Sequence, residues 1–272
     1  CSSALHNDDL PFSHEEIANA VNSQNDKKSP GEDGLSANII KTAYCYASDV
    51  FDRLYNCCLK YHCFPTWFKS SVVKAIPKPS ATDLLNPKSW RPISLLSVPG
   101  KVLEKIMIQR IMYNLNSRNL LSHKQYGFTP RRSTIDAIDS MVERMQIVRN
   151  SWQYGAIISL DVSAAFDEAW WTAILVRLKN LNIPHNLWHL CRNYFHGRIA
   201  KMEIAGSVAS KWVTRGCPQG SACGPGFWNI LYDEVLQLQL PNGCELAAFA
   251  DDLVLHCAAS SMTLLEAQVN AS

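Results

Sequence analysis

Hydrophobic residues recur at helical spacing through much of the first half of the chain. The sequence SHEE places Ser13 three residues before Glu16, a capping box that predicts a helix starting near His14. Apolar positions between 101 and 116 repeat every three to four residues, which predicts a second helix. Further helices are expected at 36–44, 49–62, 134–149, 170–181, 185–196 and in the second half of 217–236.

Short apolar runs bounded by Gly, Pro or Asp predict strands. The run GAIISLD is apolar enough to predict a strand buried on both faces that ends at Asp161. The sequence CELAAFADDLVLHCA (244–258) is typical of two strands joined by a tight turn. Other strands are expected at 70–79 and 90–96, and as a hairpin at 198–206 and 210–216. The expected fold class is α+β, with one sheet backed by helices.

Composition places the chain among folded proteins. Of its 272 residues, 47% are hydrophobic and 18% are charged, unlike a disordered chain. There is no run of eighteen apolar residues, so we expect no membrane partner. The ten cysteines lack the even spacing of a secreted disulfide scaffold, which favours a reducing, intracellular compartment. Because the chain does not start with Met, we expect a fragment of a longer protein.

The net charge of +2 hides an asymmetry along the chain. From Lys60 to Arg132 there are thirteen Lys or Arg residues and two acidic residues, whereas the rest of the chain after Arg132 has nine basic and thirteen acidic residues. The basic stretch is a candidate polyanion-binding surface. Its alternative role is that of an ordinary solvated surface, where most Lys and Arg residues lie.

Three aspartates stand at the ends of apolar strands: Asp161, Asp251 and Asp252. A single Asp in such a place is usually a turn residue or a helix cap. Buried carboxylates need a positive partner, and no Lys or Arg nearby in sequence supplies one. A divalent cation would, and two ions held by shared aspartates fit in-line phosphoryl transfer. These residues predict a metal-dependent phosphoryl or nucleotidyl transferase and leave the choice among two-metal enzymes open.

Six motifs occur in order along the chain: SPGEDGLSANIIK, IPKP with SWRPISLL, QYGFTPRRST, LDVSAAFD, GCPQGS and FADD. Together they resemble motifs of the reverse transcriptases of non-LTR (LINE-type) retrotransposons. FADD resembles the second catalytic aspartate motif, LDVSAAFD the first, and GCPQGS the motif that lines the nucleotide pocket. SPGEDGLSANIIK, IPKP with SWRPISLL, and QYGFTPRRST resemble segments of the fingers region. The resemblance spans residues 27–258 and is closest to the R-one-type elements of arthropods that insert into ribosomal DNA.

The resemblance implies a right-hand polymerase with helical fingers, preceded by a helical lead-in, at 1–154. A truncated palm with an antiparallel sheet would follow at 155–272, and we expect the thumb to be absent. Asp161, Asp251 and Asp252 would form the catalytic and metal-binding triad, assisted by the Val162 carbonyl. The implied cofactor is a pair of Mg²⁺ ions, with Mn²⁺ as an alternative.

The resemblance also implies residues that bind the incoming nucleotide, and Val162 is one of them. Phe166 falls at the position of the steric gate, where an aromatic ring clashes with a ribose 2′-hydroxyl and so favours deoxynucleotides; an isolated Phe is otherwise most often a core residue. Gln219 would contact the nucleotide, and Gly220 would let the backbone approach it closely. Lys78 and Arg91 match the fingers positions that grip the triphosphate.

Two arginines in QYGFTPRRST are weaker candidates. Arg131 and Arg132 precede an expected helix and could bind template phosphate, because helix N-termini and cations both attract anions. Exposure on the surface without a special role is the alternative for both.

The resemblance implies an RNA-directed DNA polymerase that uses dNTPs, an RNA template, a DNA primer and target DNA. It also implies an endonuclease elsewhere in a full-length protein and a nuclear location during insertion. The alternative is a nucleic-acid-binding fragment that no longer catalyses. A nuclease is disfavoured by Phe166 and Gln219, since cleavage needs no gate against ribose.

Overall fold

The computed structural model describes residues 8–79, 82–162, 164–204 and 206–272. Ser163 of the LDVSAAFD motif and Ala205 of the expected hairpin lie outside the described residues. The helices are α1 (His14–Asn22), α2 (Ala37–Lys60), α3 (Val98–Ser117), α4 (Thr134–Asn150), α5 (Ala165–Glu168), α6 (Trp171–Asn180), α7 (His185–Phe195), α8 (Gly224–Leu236) and α9 (Met262–Ala271). The strands are β1 (Ser70–Pro77), β2 (Trp90–Leu96), β3 (Tyr154–Asp161), β4 (Arg198–Ile204), β5 (Ser207–Val213), β6 (Cys244–Phe249) and β7 (Asp252–Ala259).

Local sequence signals account for most element boundaries. Ser13 and Glu16 form the predicted capping box at the start of α1. The helices expected at 36–44 and 49–62 are joined into α2, which is kinked where Ala47 has φ −143° and ψ 42°. No helix in the described part of the chain is both long and apolar enough to cross a bilayer.

The chain divides into two compact units, each discontinuous in sequence. The first unit contains residues up to Arg118 together with 166–227, and the second contains 119–165 together with 228–272. The division into fingers and palm at residue 154 stays a prediction, because the compact units are defined by packing and not by polymerase function.

The first unit has a four-stranded sheet in the order β2-β1-β4-β5. The pairs β1–β2 and β4–β5 are antiparallel, whereas β1 and β4 pair in parallel, from Ser70 opposite Ile199 to Val72 opposite Lys201. Helix α3 contributes much of the core of this unit through its fully buried apolar side chains, which are Val102, Leu103, Ile106, Met107, Ile111 and Leu115.

The second unit has an antiparallel three-stranded sheet in the order β3-β7-β6. The central strand β7 pairs with β3 over eight residues, from Ala259 opposite Tyr154 to Asp252 opposite Asp161. Helix α4 packs on β3 and β6, and α9 packs on β7 and β3. This sheet carries Asp161 and Asp252, and the turn between β6 and β7 carries Asp251.

Two expectations about the sheets are wrong. One sheet was expected, and there are two, because the β1–β2 hairpin pairs with the β4–β5 hairpin through a parallel contact between strands that are far apart in sequence. The strand β3 was expected to be buried on both faces, but Ile157 is 42% exposed and Leu160 is 45% exposed. The reason is that β3 lies at the edge of its sheet, where no strand of the described residues pairs with one of its long sides.

Candidate functional site

The sheet of the second unit places two of the candidate acids side by side. Strand β3 ends at Asp161, β7 begins at Asp252, and the register pairs these residues directly. Opposed residues in an antiparallel pair have Cα atoms about 4.5–5.5 Å apart and project to the same face. Both side chains are exposed. The fold thus brings two carboxylates that are far apart in sequence to one open face.

The third acid lies in the turn before β7. Phe249 and Asp252 are the last pair between β6 and β7, so Ala250 and Asp251 form a two-residue hairpin loop. We call residues 249–252 the aspartate turn. Ala250 has φ 59°, in the left-handed region that tight two-residue hairpins require at their first loop position. Asp251 is half-buried.

Tyr232 on α8 lies close to the aspartate turn. Burial raises the pKa of its hydroxyl, and the charges of Asp251 and Asp252 raise it further. The hydroxyl is buried and has no hydrogen-bond partner among the described residues. The ring stacks on that of Trp228, with centroids 5.0 Å apart and planes at 24°. A neutral hydroxyl therefore lies within electrostatic range of both carboxylates.

The exposure of the acids corrects one step of the sequence argument. The aspartates were expected to be buried and so to need a cation to offset the loss of solvation. Asp161 and Asp252 are exposed and Asp251 is half-buried, so water can solvate them. The case for a metal must therefore rest on their clustering and on the type of ligand that they offer.

The candidate ligands are of the type that a hard cation binds, but their side chains do not form a complete metal site by themselves. Asp161, Asp251, Asp252 and the Val162 carbonyl are all oxygen donors, which Mg²⁺ prefers. The Val162 carbonyl accepts a hydrogen bond from the Ala165 N–H at 3.3 Å and keeps a second lone pair. Among the described residues, no three His, Cys, Asp or Glu side chains are already placed to hold a metal ion together. Water or phosphate oxygens would have to complete the coordination.

In the first unit, the candidate gate residue is tied to the GCPQGS segment. Phe166, on the short helix α5, is half-buried, and its carbonyl accepts a hydrogen bond from the Cys217 N–H at 2.7 Å. The Gly216 N–H donates to the Ala169 carbonyl at 2.8 Å. Gly216 has φ 89°, and a Cβ there would lie 2.6 Å from the Asp167 carbonyl oxygen. A residue with a side chain would push the two segments apart.

The segment at 216–222, which we call the Gln219 loop, also packs against β2. The Ser94 N–H donates to the Gln219 carbonyl at 2.8 Å. Gly220 has φ 120°, and a Cβ there would lie 2.6 Å from the Ser94 carbonyl oxygen. Gln219 and Asp167 line a pocket of about 140 Å³ next to this contact. Glycine is required at position 220 for both conformation and space.

A buried ionic group holds the far end of the Gln219 loop. Glu104 on α3 is 1% exposed and accepts hydrogen bonds from the Ser221 hydroxyl at 2.9 Å and the Ala222 N–H at 2.7 Å. The Arg198 guanidinium, itself 2% exposed, lies 3.9 Å from Glu104 and 4.3 Å from the centre of the Tyr194 ring. Sequence reasoning missed Glu104 because only its position in an apolar stretch of helix marks it.

The two candidate triphosphate cations are exposed residues of the first unit. Arg91 is opposite Ile76 in the β1–β2 ladder, and Lys78 follows Ile76 by two residues. Because strand side chains alternate, Lys78 and Arg91 fall on the same face. Burial raises the pKa of Asp167, the Glu168 charge raises it further, and the Lys78 charge opposes both. Lys78 therefore lies within electrostatic range of the segment that carries Phe166.

The two weaker candidates lie in the second unit and differ from each other. Arg131 is exposed. Arg132 donates hydrogen bonds to the carbonyls of His123 and Gln125, and its guanidinium lies 4.9 Å from the centre of the Tyr126 ring. Arg132 thus stabilises its own loop. The N-terminus of α4 is capped by Ser133 and Asp136, so part of its capacity to bind an anion is already used.

Comparison with known proteins gives one family and several relatives. Residues 76–270 match the family described as reverse transcriptase (RNA-dependent DNA polymerase). The chain is 34% identical over 255 residues to the 115 kDa protein in the type-1 retrotransposable element R1DM of Drosophila melanogaster, covering 92% of this chain and 24% of that protein. It is 31% identical over 252 residues to the Pol polyprotein of the type-1 element R1 of Bradysia coprophila, covering 93% and 25%.

A solved structure shares the fold. The telomerase of Candida albicans, in complex with a fragment of telomeric RNA, aligns with a TM-score of 0.55 at 14% identity over 75% of this chain and 39% of that chain. At that identity the likeness concerns the fold alone. The chain spans about a quarter of the length of the two retrotransposon proteins.

Proposed function

The chain belongs to the reverse transcriptase family, and from that premise we propose that it is the part of a non-LTR retrotransposon protein that copies RNA into DNA. One observation carries the proposal: the β3–β7 register sets Asp161 opposite Asp252, with Asp251 in the adjoining turn. Nucleotidyl transfer needs acidic oxygens grouped on an open face that a triphosphate and a primer 3′-hydroxyl can reach.

The carboxylates of Asp161, Asp251 and Asp252, with the Val162 carbonyl, would hold two Mg²⁺ ions. When bound, these ions would lower the pKa of the primer hydroxyl and neutralise charge on the phosphates. The open face supports this role, since Mg²⁺ in such sites keeps water and phosphate oxygens among its ligands. Mn²⁺ would fit the same oxygen ligands.

Five residues of the first unit would bind the deoxynucleotide. Lys78 and Arg91 would contact the triphosphate, where the planar guanidinium can bind two oxygens at once. Gln219 would contact the nucleotide and Gly220 would let the backbone come close to it. Phe166 would exclude a ribose 2′-hydroxyl. The hydrogen bond from Cys217 to the Phe166 carbonyl supports this, because it fixes the gate residue to the Gln219 loop.

The proposal extends to the longer protein. Fingers would lie at 1–154 and palm at 155–272, while a thumb and an endonuclease would come from other parts of that protein. The partners would be an RNA template, a DNA primer at the target site and dNTPs, and insertion would take place in the nucleus. Arg131 is the better of the two template candidates, because Arg132 already binds its own loop.

The test is primer extension on a poly(rA)–oligo(dT) duplex with Mg²⁺ and dTTP, using the longer natural protein that contains this chain. We expect the substitution Asp251→Asn to lower extension by at least about 100-fold, since loss of a metal ligand should cost no less than loss of its supporting groups. Asp139→Asn is the matched control, because Asp139 is an exposed acid on α4 of the same unit.

The outcomes separate the two functions considered from the sequence. Extension that disappears in the Asp251 variant and persists in the Asp139 variant would support the polymerase. A folded wild-type protein that binds the duplex but extends nothing would overturn the proposal in favour of an inactive nucleic-acid-binding fragment.

A further inference from the structure

The aspartate turn contains a backbone conformation that its own sequence does not favour. Ala250 adopts φ 59°, and residues with a side chain rarely do so because the Cβ approaches the carbonyl oxygen. Hairpin turns of this kind usually place Gly, Asn or Asp at such a position. Contacts from elsewhere in the unit must therefore hold Ala250 in place.

One buried side chain binds both backbone groups of Ala250. The side-chain oxygen of Gln125 accepts hydrogen bonds from the Ala250 N–H at 3.0 Å and the Gly127 N–H at 2.8 Å. Its side-chain nitrogen donates to the Ala250 carbonyl at 3.1 Å. Gln125 is 6% exposed, so these contacts are shielded from water. A side chain needs both a donor and an acceptor to make this pair of contacts, and an amide has both.

The neighbours of Gln125 hold it against the turn. The Tyr126 N–H donates to the Ala248 carbonyl at 2.8 Å, and the Ala248 N–H donates to the Lys124 carbonyl at 2.9 Å, so this segment runs along β6. A Cβ on Gly127 would overlap the Ala250 backbone nitrogen. The indole N–H of Trp228 also donates to the Ala250 carbonyl, at 3.0 Å.

We propose that Gln125 is a positioning residue that locks Ala250 in the left-handed conformation and so fixes the direction in which Asp251 is presented beside Asp252. The inference rests on the polymerase function proposed above. Gln125 touches no substrate in this role and acts through the backbone of the turn. A neutral amide suits the place, since a carboxylate there would lose the donor to Ala250 and add negative charge next to the acids.

The first experiment measures kcat and KM for dTTP in the same primer-extension assay, together with the affinity for the duplex. For Gln125→Ala we expect kcat to fall about 10- to 100-fold, as for groups that orient metal ligands, with KM and duplex affinity changed less than about threefold. Gln237→Ala is the matched control, because Gln237 also donates to a backbone carbonyl in this unit, at Leu120. Its kcat should equal that of wild type.

A second substitution separates positioning from loss of folding. Adding Ala250→Gly to Gln125→Ala should restore part of kcat, because glycine adopts the left-handed region without strain. Unchanged kcat in Gln125→Ala would overturn the proposal. So would a double variant that is folded, by circular dichroism, but no more active than Gln125→Ala.

A third measurement does not depend on catalysis. Hydrogen exchange at the Ala250 amide should be at least about tenfold faster in Gln125→Ala, because the side-chain oxygen that accepts its hydrogen bond is lost. If the wild-type protein extends no primer, the polymerase proposal fails, and exchange alone then decides whether Gln125 holds the turn. Unchanged exchange would overturn the role of Gln125 whatever the activity.

Discussion

The Gln219 loop and the aspartate turn are each fixed by a buried side chain from a distant part of their own unit, and the two side chains differ in charge. In the first unit, the carboxylate of Glu104 accepts hydrogen bonds from the loop and lies near Arg198. In the second unit, the amide of Gln125 binds the turn. An ion pair thus holds the backbone segment in place in the first unit, and a neutral amide does so in the second.

The difference follows from what each segment has to present. The loop beyond Gly220 offers a hydroxyl and an N–H, and an ionised carboxylate is a strong acceptor for both. The turn contains Asp251 and Asp252, and another negative charge there would repel both carboxylates. A neutral amide fixes the backbone there without changing the local charge.

The largest effect is expected at Glu104, the charged residue that holds the Gln219 loop. Replacing Glu104 by Ala should lower the free energy of unfolding by about 3–5 kcal/mol, because Arg198 is left as an uncompensated buried charge. Urea unfolding followed by circular dichroism measures this. Replacing both Glu104 and Arg198 by Met should cost less than the single substitution. A single substitution that costs less than about 1 kcal/mol would show that the ion pair does not anchor the loop.

A smaller effect is expected at Gly127, where the segment that carries Gln125 packs on the aspartate turn. Gly127→Ala should lower the free energy of unfolding by about 1–3 kcal/mol, because the new Cβ would overlap the backbone of Ala250 and force a shift. Gly224→Ala is the control, since a Cβ there meets its nearest atom at an ordinary 3.4 Å. Equal stability of the two variants in urea unfolding would contradict a tight contact between position 127 and the turn.

The smallest effect is a difference in pH dependence between charged and neutral contacts. A hydrogen bond from Arg110 lowers the pKa of Glu16 from 4.5 to about 2. This stabilisation is present above pH 4.5 and is lost as pH falls toward 2, because the carboxylate is then protonated in both the folded and unfolded states. The pair is partly exposed, so we expect about 1 kcal/mol after solvent screening.

Two variants test this contrast by urea unfolding at several pH values. The stability difference between wild type and Glu16→Gln should shrink as pH falls from 4.5 toward 2. The difference for Gln125→Met should stay constant over that range, because an amide does not titrate. A difference for Glu16→Gln that does not change with pH would show that the ion pair contributes nothing measurable.

Local elements were predictable because their signals lie within a few residues. The capping box of Ser13 and Glu16 and the hairpin at 244–259 follow directly from neighbouring residue types. The other hairpin was also expected, but its second strand was expected at 210–216 and lies at Ser207–Val213. The parallel contact between β1 and β4 was not predictable, because the sequence of neither strand indicates which distant strand it pairs with. The edge position of β3 in the other sheet depends on its own long-range pairing with β7, which is why its exposure was missed.

The candidate site, too, was only partly predictable from the sequence. The aspartates were found because paired acids at strand ends are unusual, and the register places Asp161 opposite Asp252. Their metal-binding role, and the roles of Phe166, Gln219, Gly220, Lys78 and Arg91, stay predictions. Gln125 lies within QYGFTPRRST, but the resemblance implies no role for it. Its proposed role depends on the positive φ of Ala250, and an alanine in a sequence does not indicate such a conformation.

The uninterrupted ladder between β3 and β7 also limits how the gene can change in length. Eight consecutive pairs run from Tyr154 and Ala259 to Asp161 and Asp252. One codon inserted within either strand would turn every following side chain to the opposite face and separate the two acids. The irregular segment at 238–241 lies outside the strands, so codons could be gained there at little cost. Divergent copies of this gene should therefore differ in length between α8 and β6 and agree within the two strands.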